Sequence, residues 1–375
     1  MSKTERLLRE LISLPSVNPA FLPAHDPNAG EQRAAECLAA VAARAGLEVE
    51  FQAVLPGRSN IVARLSPSGK VRQRILLAPH LDTVNAAKAQ FTPRKINGRL
   101  FGRGACDTKG SVATMLAAVC ELARSKRRPA QTEIVFAGLV DEENAQAGSR
   151  ALAASGFKAD LAIVGEPTRG QIVTAHKGSL WLQLETRGKS AHGARPELGR
   201  NAVHQMARVV DLLETEYAAR LRRRRHKLLG CATVSVGVIN GGTQPNIVPD
   251  RCTISIDRRT LPGETESGVQ REIHSLLRRR RLQAAIGNGK LAACQPLETD
   301  SRIPLVAQFL HSARQREPMG VHYYCDASVL AQGGIPSIVF GPGDIAQAHT
   351  AEEWISLRSL EHARALLLSF LQSLP

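Results

Sequence analysis

Ile75-Leu76-Leu77-Ala78-Pro79-His80-Leu81-Asp82 is the stretch on which the fold turns. Its first five residues are uninterrupted by charge and too few for a helix, so they read as a buried strand. Where that strand stops, an imidazole and a carboxylate follow. Short apolar runs of the same kind lie at 61–65, 134–140 and 161–164. Apolar spacings of three and four predict helices at 4–14, stopping at Pro15, and at 31–45, ending at Gly46. Residues 111–124 read as another helix with a buried face. Strands alternating with helices predict an α/β fold, a mostly parallel central sheet flanked by helices.

The middle of the chain has a different rhythm. Residues 180–187, 233–239 and 252–257 alternate apolar and polar positions, and helical patterns at 199–222 and 264–281 interleave with them. That order suggests a small antiparallel α+β domain of the ferredoxin-like kind. After about residue 290 the α/β pattern resumes, with 335–340 as a buried strand. The expected organisation is therefore 1–176 plus 284–375 as one domain, with 177–283 inserted into it.

Reactive residues cluster where the first domain's strands stop. The strand at 75–79 delivers His80 and Asp82. The turn Gly102-Arg103-Gly104-Ala105-Cys106 delivers Asp107 just before a helix. The strand at 134–140 ends in Asp141-Glu142-Glu143, that at 161–164 in Gly165-Glu166-Pro167, and the last leads towards His349. In an open parallel sheet the carboxyl ends of the strands form one rim, where ligands bind. Imidazoles and carboxylates on one rim suit a pair of divalent metal ions. Asp107 would be shared by both ions, with His80 and Glu166 completing one and Glu143 and His349 the other. Three carboxylates against two divalent ions leave a net positive charge to polarise a carbonyl. Asp82 could orient His80 from its far nitrogen. Glu142, next to Glu143 but turned the other way, is the natural general base.

Taken singly, each piece has an ordinary structural reading. A His-x-Asp can be structural, a Glu-Glu pair a solvated turn, and a Gly-Arg-Gly turn before Asp a helix cap. Ligand-type residues at strand end after strand end, all on one rim, are what carry the argument.

These strings resemble a family of zinc metallopeptidases. It includes acetylornithine deacetylase, succinyl-diaminopimelate desuccinylase, aminoacylase and glutamate carboxypeptidase. Ala78-Pro79-His80-Leu81-Asp82-Thr83-Val84 is similar to its first motif and Gly102-Arg103-Gly104-Ala105-Cys106-Asp107-Thr108-Lys109-Gly110 to its second. Asp141-Glu142-Glu143 and Val164-Gly165-Glu166-Pro167-Thr168 resemble the next two. Gly341-Pro342-Gly343 through Gln347-Ala348-His349-Thr350 resembles the last, in its acetylornithine deacetylase form. The resemblance implies the metal and base roles above. It also implies that the inserted domain is a lid that mediates homodimerisation. In Ser190-Ala191-His192-Gly193 the histidine would stabilise an oxyanion, from its own or the partner subunit, and Asn246 and Arg258 would bind substrate. Arg258 would grip an α-carboxylate, with a salt bridge inside the lid as its structural alternative. Tyr324-Cys325 replaces a Gly-Thr pair frequent in that family, which leaves side-chain specificity open. The implied reaction is deacylation of an N-acyl amino acid, with N-acetylornithine or a related N-acetyl amino acid first. Succinyl-diaminopimelate comes second, then a dipeptide or acyl-glutamate. Zinc is the expected metal, and cobalt and manganese suit the same donors.

Composition narrows the remaining classes. Apolar residues make up 43%, enough for a sizeable core. The first residues show neither a signal-peptide stretch nor a membrane-spanning run, so a cytoplasmic enzyme without membrane partners is expected. Seven cysteines, an odd number without framework spacing, suit free thiols. The net charge of +15 invites a nucleic-acid reading. Much of the excess, however, lies in two arginine runs, 222–225 and 278–281, at the ends of helical patterns where cations complement the helix dipole. No aromatic platform accompanies them, so nucleic acid is not the expected partner. A catalytically silent polyanion-binding protein is the rival from another class, and it would be favoured by a missing ligand or base. None is missing.

Overall fold

The computed structural model describes residues 1–289 and 293–375. Two compact units divide the chain: residues 1–174, 299–319 and 325–375 form the larger, and residues 175–298 and 320–324 the smaller.

The larger unit is built on a sheet with the strand order Glu48–Leu55, Arg58–Leu65, Thr132–Gly138, Gln73–Pro79, Leu161–Gly165, Ser337–Val339. The four strands from Thr132–Gly138 to Ser337–Val339 run parallel, and Val173–His176 pairs antiparallel beyond them. Glu48–Leu55 and Arg58–Leu65 form an antiparallel hairpin added at one side. The stretch at 75–79 sits in the middle of this sheet, hydrogen-bonded on both sides, which explains its unbroken apolar character. Ile75, Leu77, Phe136 and Ile163 turn one way, into a core shared with the helices Gln32–Arg44, Lys109–Ala123 and Leu357–Gln372. Helices Ala147–Ala154 and Ala327–Gln332 cover strands from the other side. Helix Lys109–Ala123 is buried along nearly its whole length, as a sequence apolar on every side requires. Phe309 stacks on Phe370 at 4.5 Å and meets Phe340 edge-on at 5.0 Å, closing the core near the C-terminus.

The smaller unit runs strand Gly178–Arg187, a helix, strands Thr233–Gly241 and Arg251–Thr260, helix Glu266–Arg279, and strand Ala285–Asn288. Its first helix passes from Ala202–Leu212 through one wide turn, Leu213–Tyr217, into Ala218–Arg222. All strand pairs are antiparallel, and the order places Arg251–Thr260 beside Gly178–Arg187, with Thr233–Gly241 and Ala285–Asn288 outermost. This is the ferredoxin-like βαββαβ arrangement. The fourth strand, with only Ile286 as a large apolar residue, has too little alternation to be read from sequence. Because it belongs to this sheet, the smaller unit runs on to Glu298 rather than ending at 283.

The arginine runs are exposed helix ends threaded by ion pairs. Arg224 bonds Glu264 and Glu272, and Arg280 bonds Glu216 at 2.6 Å. Among the described residues, no helix is long and apolar enough to cross a membrane. No disulfide joins two cysteines among the described residues.

Candidate metal centre

The parallel strands end on one rim, and five side chains from five segments meet there. His80 Nε2 lies 3.1 Å from Asp107 Oδ1 and 3.8 Å from Glu166 Oε1. His349 Nε2 lies 3.3 Å from Asp107 Oδ2 and 3.2 Å from Glu143 Oε2. Each oxygen of Asp107 thus faces a different imidazole, and the remaining carboxylates divide between the two. His80, Asp107 and Glu166 are buried, whereas the His349 side chain is 53% exposed, at the mouth of the site.

The electrostatics describe a site short of positive charge. Burial, reinforced by repulsion from Asp107, pushes Glu143 up. Burial pushes Glu166 well up, and the His80 cation opposes this only in part. Hydrogen bonds to Asp107 and Glu143 hold the His349 imidazole protonated, up to about 10. At His80 burial alone would favour the neutral ring, but Asp107 and Asp82 outweigh it. Imidazolium charge therefore stands where the donor set calls for cations. Two imidazole nitrogens and three carboxylates suit a borderline divalent ion such as zinc, cobalt or manganese.

The segments are held by Asp82 and by residues that local sequence patterns do not reveal. Asp82 is fully buried and lies 3.4 Å from His80 Nδ1. It also accepts hydrogen bonds from the backbone N–H groups of Glu142 at 3.0 Å and Glu143 at 3.1 Å. His80 Nδ1 thus faces this carboxylate and, at 3.0 Å, the Asp82 backbone carbonyl, while the carboxylate pins the neighbouring turn. Asp141, at the start of that turn, has φ +71°, a left-handed conformation costly for a residue with a Cβ. It is clamped by Arg58 Nη1 and Asn18 Nδ2, each 3.0 Å from its Oδ1, while its own N–H donates to Glu31. Arg58 in turn forks onto Glu31. Glu142 projects half-buried from this turn. Burial, with added repulsion from Glu166, Asp326 and Glu143, holds its carboxyl well above the usual range, only partly countered by the His80 cation.

The glycine turn before Asp107 is dictated by a close approach. A Cβ on Gly104, at φ +80°, would lie 2.8 Å from Lys109 Cδ. Lys109 is buried beneath the turn, and its Nζ donates to the carbonyls of Leu11 and Leu14 at the end of helix Lys3–Ser13. Burial lowers this ammonium to about 7.

In the smaller unit, the loops of His192 and Asn246 lie side by side. His192 bridges to Ile247, and Gly193 N–H donates to the Asn246 carbonyl at 2.7 Å. His192 is exposed, and its Nδ1 accepts from Ala194 N–H at 3.1 Å. That bond leaves the proton of the neutral ring on Nε2, where it can be donated outward.

Arg258 departs from expectation. Its side chain is 0% exposed and its donors are committed internally, to Glu264 at 2.6 Å, to Tyr217 Oη at 3.2 Å and to the Arg259 carbonyl. It is an internal ion pair of the smaller unit and offers nothing to an external carboxylate. The cause is strand alternation: Arg258 shares a face with the buried Ile254 and Ile256. Arg259, on the other face with Asp257, stays partly open and lies over the Tyr324 ring at 5.8 Å. Counting in steps of two along Arg251–Thr260 is the signal that separates them. In the larger unit Cys325 is buried, which drives its thiol well up.

Known proteins resemble the chain over most of its length. A curated acetylornithine deacetylase of Myxococcus xanthus is 32% identical over 86% of this chain and 87% of its own length. The crystal structure of aminopeptidase PepT from Bacillus cereus superposes with a TM-score of 0.77 at 22% identity, over 99% of this chain and 97% of its own. A dinuclear metal-binding peptidase of the M20 family from Bacillus subtilis superposes with a TM-score of 0.70 at 14% identity, over 98% and 96%. At those identities the two structures speak for the fold. The model of peptidase family M20/M25/M40 matches residues 76–373, most of the chain and the span from His80 to His349. The chain therefore belongs to peptidase family M20/M25/M40 and is a metal-dependent hydrolase of amide bonds.

Proposed function

We propose that the protein removes the acyl group from an N-acyl amino acid, with N-acetylornithine or a related N-acetyl amino acid as the leading substrate. One observation carries the reading: Asp107 presents one oxygen to His80 and the other to His349, with Glu142 on the adjoining turn. The curated relatives named acetylornithine deacetylase support the choice of substrate.

Two divalent ions, zinc by preference, would be held by His80 and Glu166 on one side, Glu143 and His349 on the other, and Asp107 between. Such ions polarise an amide carbonyl and make water more acidic. Glu142 takes the proton of the attacking water on its carboxylate and returns it to the leaving amine nitrogen. A carboxyl held above the usual range is suited to both transfers. Asp82 keeps His80 and the Glu142–Glu143 turn in register. His192, through Nε2–H, donates to the oxygen on which negative charge develops. Asn246 orients the substrate, and Arg259 takes the carboxylate-binding role once expected of Arg258. Homodimerisation through the smaller unit fits its outer strand, Thr233–Gly241, which pairs on one side only among the described residues and exposes Val238 and Ile239.

The test is amine release by zinc-loaded protein across N-acetylornithine, other N-acetyl amino acids, succinyl-diaminopimelate and dipeptides. Chelator-sensitive turnover of an N-acetyl amino acid is expected. Turnover confined to dipeptides would overturn the deacylase reading. Glu142→Gln should keep its metal and lose roughly 10²–10⁴-fold in kcat.

A further inference from the structure

We propose that Glu353 is a positioning residue of the metal centre: with Arg103 it fixes the turn that presents Asp107 and ties it to the loop that presents His349. This rests on the metal reading of the site.

Glu353 lies four positions after His349, beside another glutamate, and the two have opposite fates. The Glu352 side chain is 73% exposed and pairs with Arg94 at the surface. The Glu353 side chain is fully buried and accepts four N–H groups. Its Oε1 receives Cys106 N–H at 2.8 Å and Asp107 N–H at 3.0 Å. Its Oε2 receives Gly104 N–H at 2.9 Å and Arg103 Nη1 at 2.7 Å. Three backbone donors of one turn point at one anion, while the Ala105 N–H between them turns to the Gly102 carbonyl; the cradle works as a backbone nest does, here filled by a side chain of the same protein. A simple buried ion pair would need only the guanidinium. The amide of Asp107 is itself one of the donors, so the carboxylate sets the position from which the shared ligand projects.

The second half of the coupling is Arg103. While Nη1 binds Glu353, Nη2 donates to the Thr350 carbonyl at 3.2 Å, directly after His349. Gly102 N–H closes the other end onto the Glu353 carbonyl at 3.0 Å. Two segments 246 residues apart are thus locked face to face, at the point where His349 Nε2 approaches Asp107 Oδ2. Groups that orient a metal ligand commonly change metal affinity or activity by about 10–100-fold when removed.

Glu353→Gln is the sharp test, because an amide has a single acceptor oxygen. In either orientation its NH₂ faces two donors, the Cys106–Asp107 pair or the Gly104–Arg103 pair. Zinc uptake by metal-free protein would be followed by competition with a chromophoric chelator, and exchange of the 102–108 amides by mass spectrometry. We expect zinc affinity to fall by about 10–100-fold, faster exchange in that segment, and a lower kcat with KM little changed. Glu353→Asp, which keeps the anion, should recover part of the affinity. Glu133→Gln, which breaks a distant ion pair with Arg74, should lower stability and leave zinc affinity alone. If Glu353→Gln does not fold, Arg103→Lys is read in its place; an ammonium cannot fork between Glu353 and Thr350, so weaker zinc binding is again expected. Wild-type zinc affinity and exchange in the variant, with only a lower melting temperature, would overturn the assignment. A wild-type chain that takes up no zinc would remove the metal reading and this proposal with it.

Discussion

Replacing Arg258 by Met separates a substrate ligand from an internal ion pair. Methionine fills much of the arginine stem's volume but strands Glu264, which is only 14% exposed, and removes a donor from Tyr217. Breaking a buried pair by deleting one partner costs about 3–5 kcal/mol. Glu264 keeps Arg224 at 3.2 Å and the Leu261 N–H at 2.7 Å, which puts the expected cost near the lower end, ~3 kcal/mol. At roughly 3 °C per kcal/mol for a large domain, the melting temperature should fall by about 9 °C. Thermal unfolding and steady-state kinetics on one preparation give the answer. The expected pattern is a large drop in melting temperature with KM close to wild type below the transition. Arg259→Met should do the reverse, raising KM with little effect on unfolding. An Arg258→Met protein with an unchanged melting temperature and KM raised roughly tenfold would refute the reasoning and return Arg258 to the substrate.

His176 is fully buried, and burial lowers its imidazole from 6.5 to about 4. Its folded value lies below its unfolded one, so its stabilising contribution is complete above pH 6.5 and is lost as the pH falls towards 4. The loss amounts to about 3 kcal/mol, and urea midpoints at pH 7 and pH 4 should differ by less in His176→Gln than in wild type. Arg58→Met leaves Glu31 and Asp141 uncompensated behind the Glu142 turn; kcat should fall about 10–100-fold, and rates equal to wild type in the folded variant would show that the clamp does not serve the turn. Phe309→Ala removes a ring packed on both Phe340 and Phe370 and should destabilise the larger unit by about 3–5 kcal/mol in chemical denaturation, with the activity of the folded fraction unchanged.

The buried strand at 75–79, the helix after Asp107 and the acidic pair after the strand at 134–140 are local events. Each is governed by side chains a few positions apart, so apolar runs and turn residues reveal them. Their joint appearance on one rim follows from parallel pairing, which an alternating α/β pattern already implies. The five candidates were therefore legible as strand-end residues, and the structure sets His80 beside Glu166 and Glu143 beside His349.

The choice between Arg258 and Arg259 lay within reach, because strand alternation assigns them opposite faces, but resemblance of the string alone did not separate them. Ala285–Asn288 is a strand only because Gly178–Arg187 offers it an edge. Asn18, Arg58, Glu31 and Glu353 carry no local signature; their partners are tens to hundreds of positions away, and a glutamate destined for a backbone nest looks like its exposed neighbour. The sequence by itself determined which chemistry the rim can hold, since residue type and strand-end position are local properties. Only the tertiary structure decided which buried charges hold that rim in place, because a charge can be buried only where distant segments supply its hydrogen bonds.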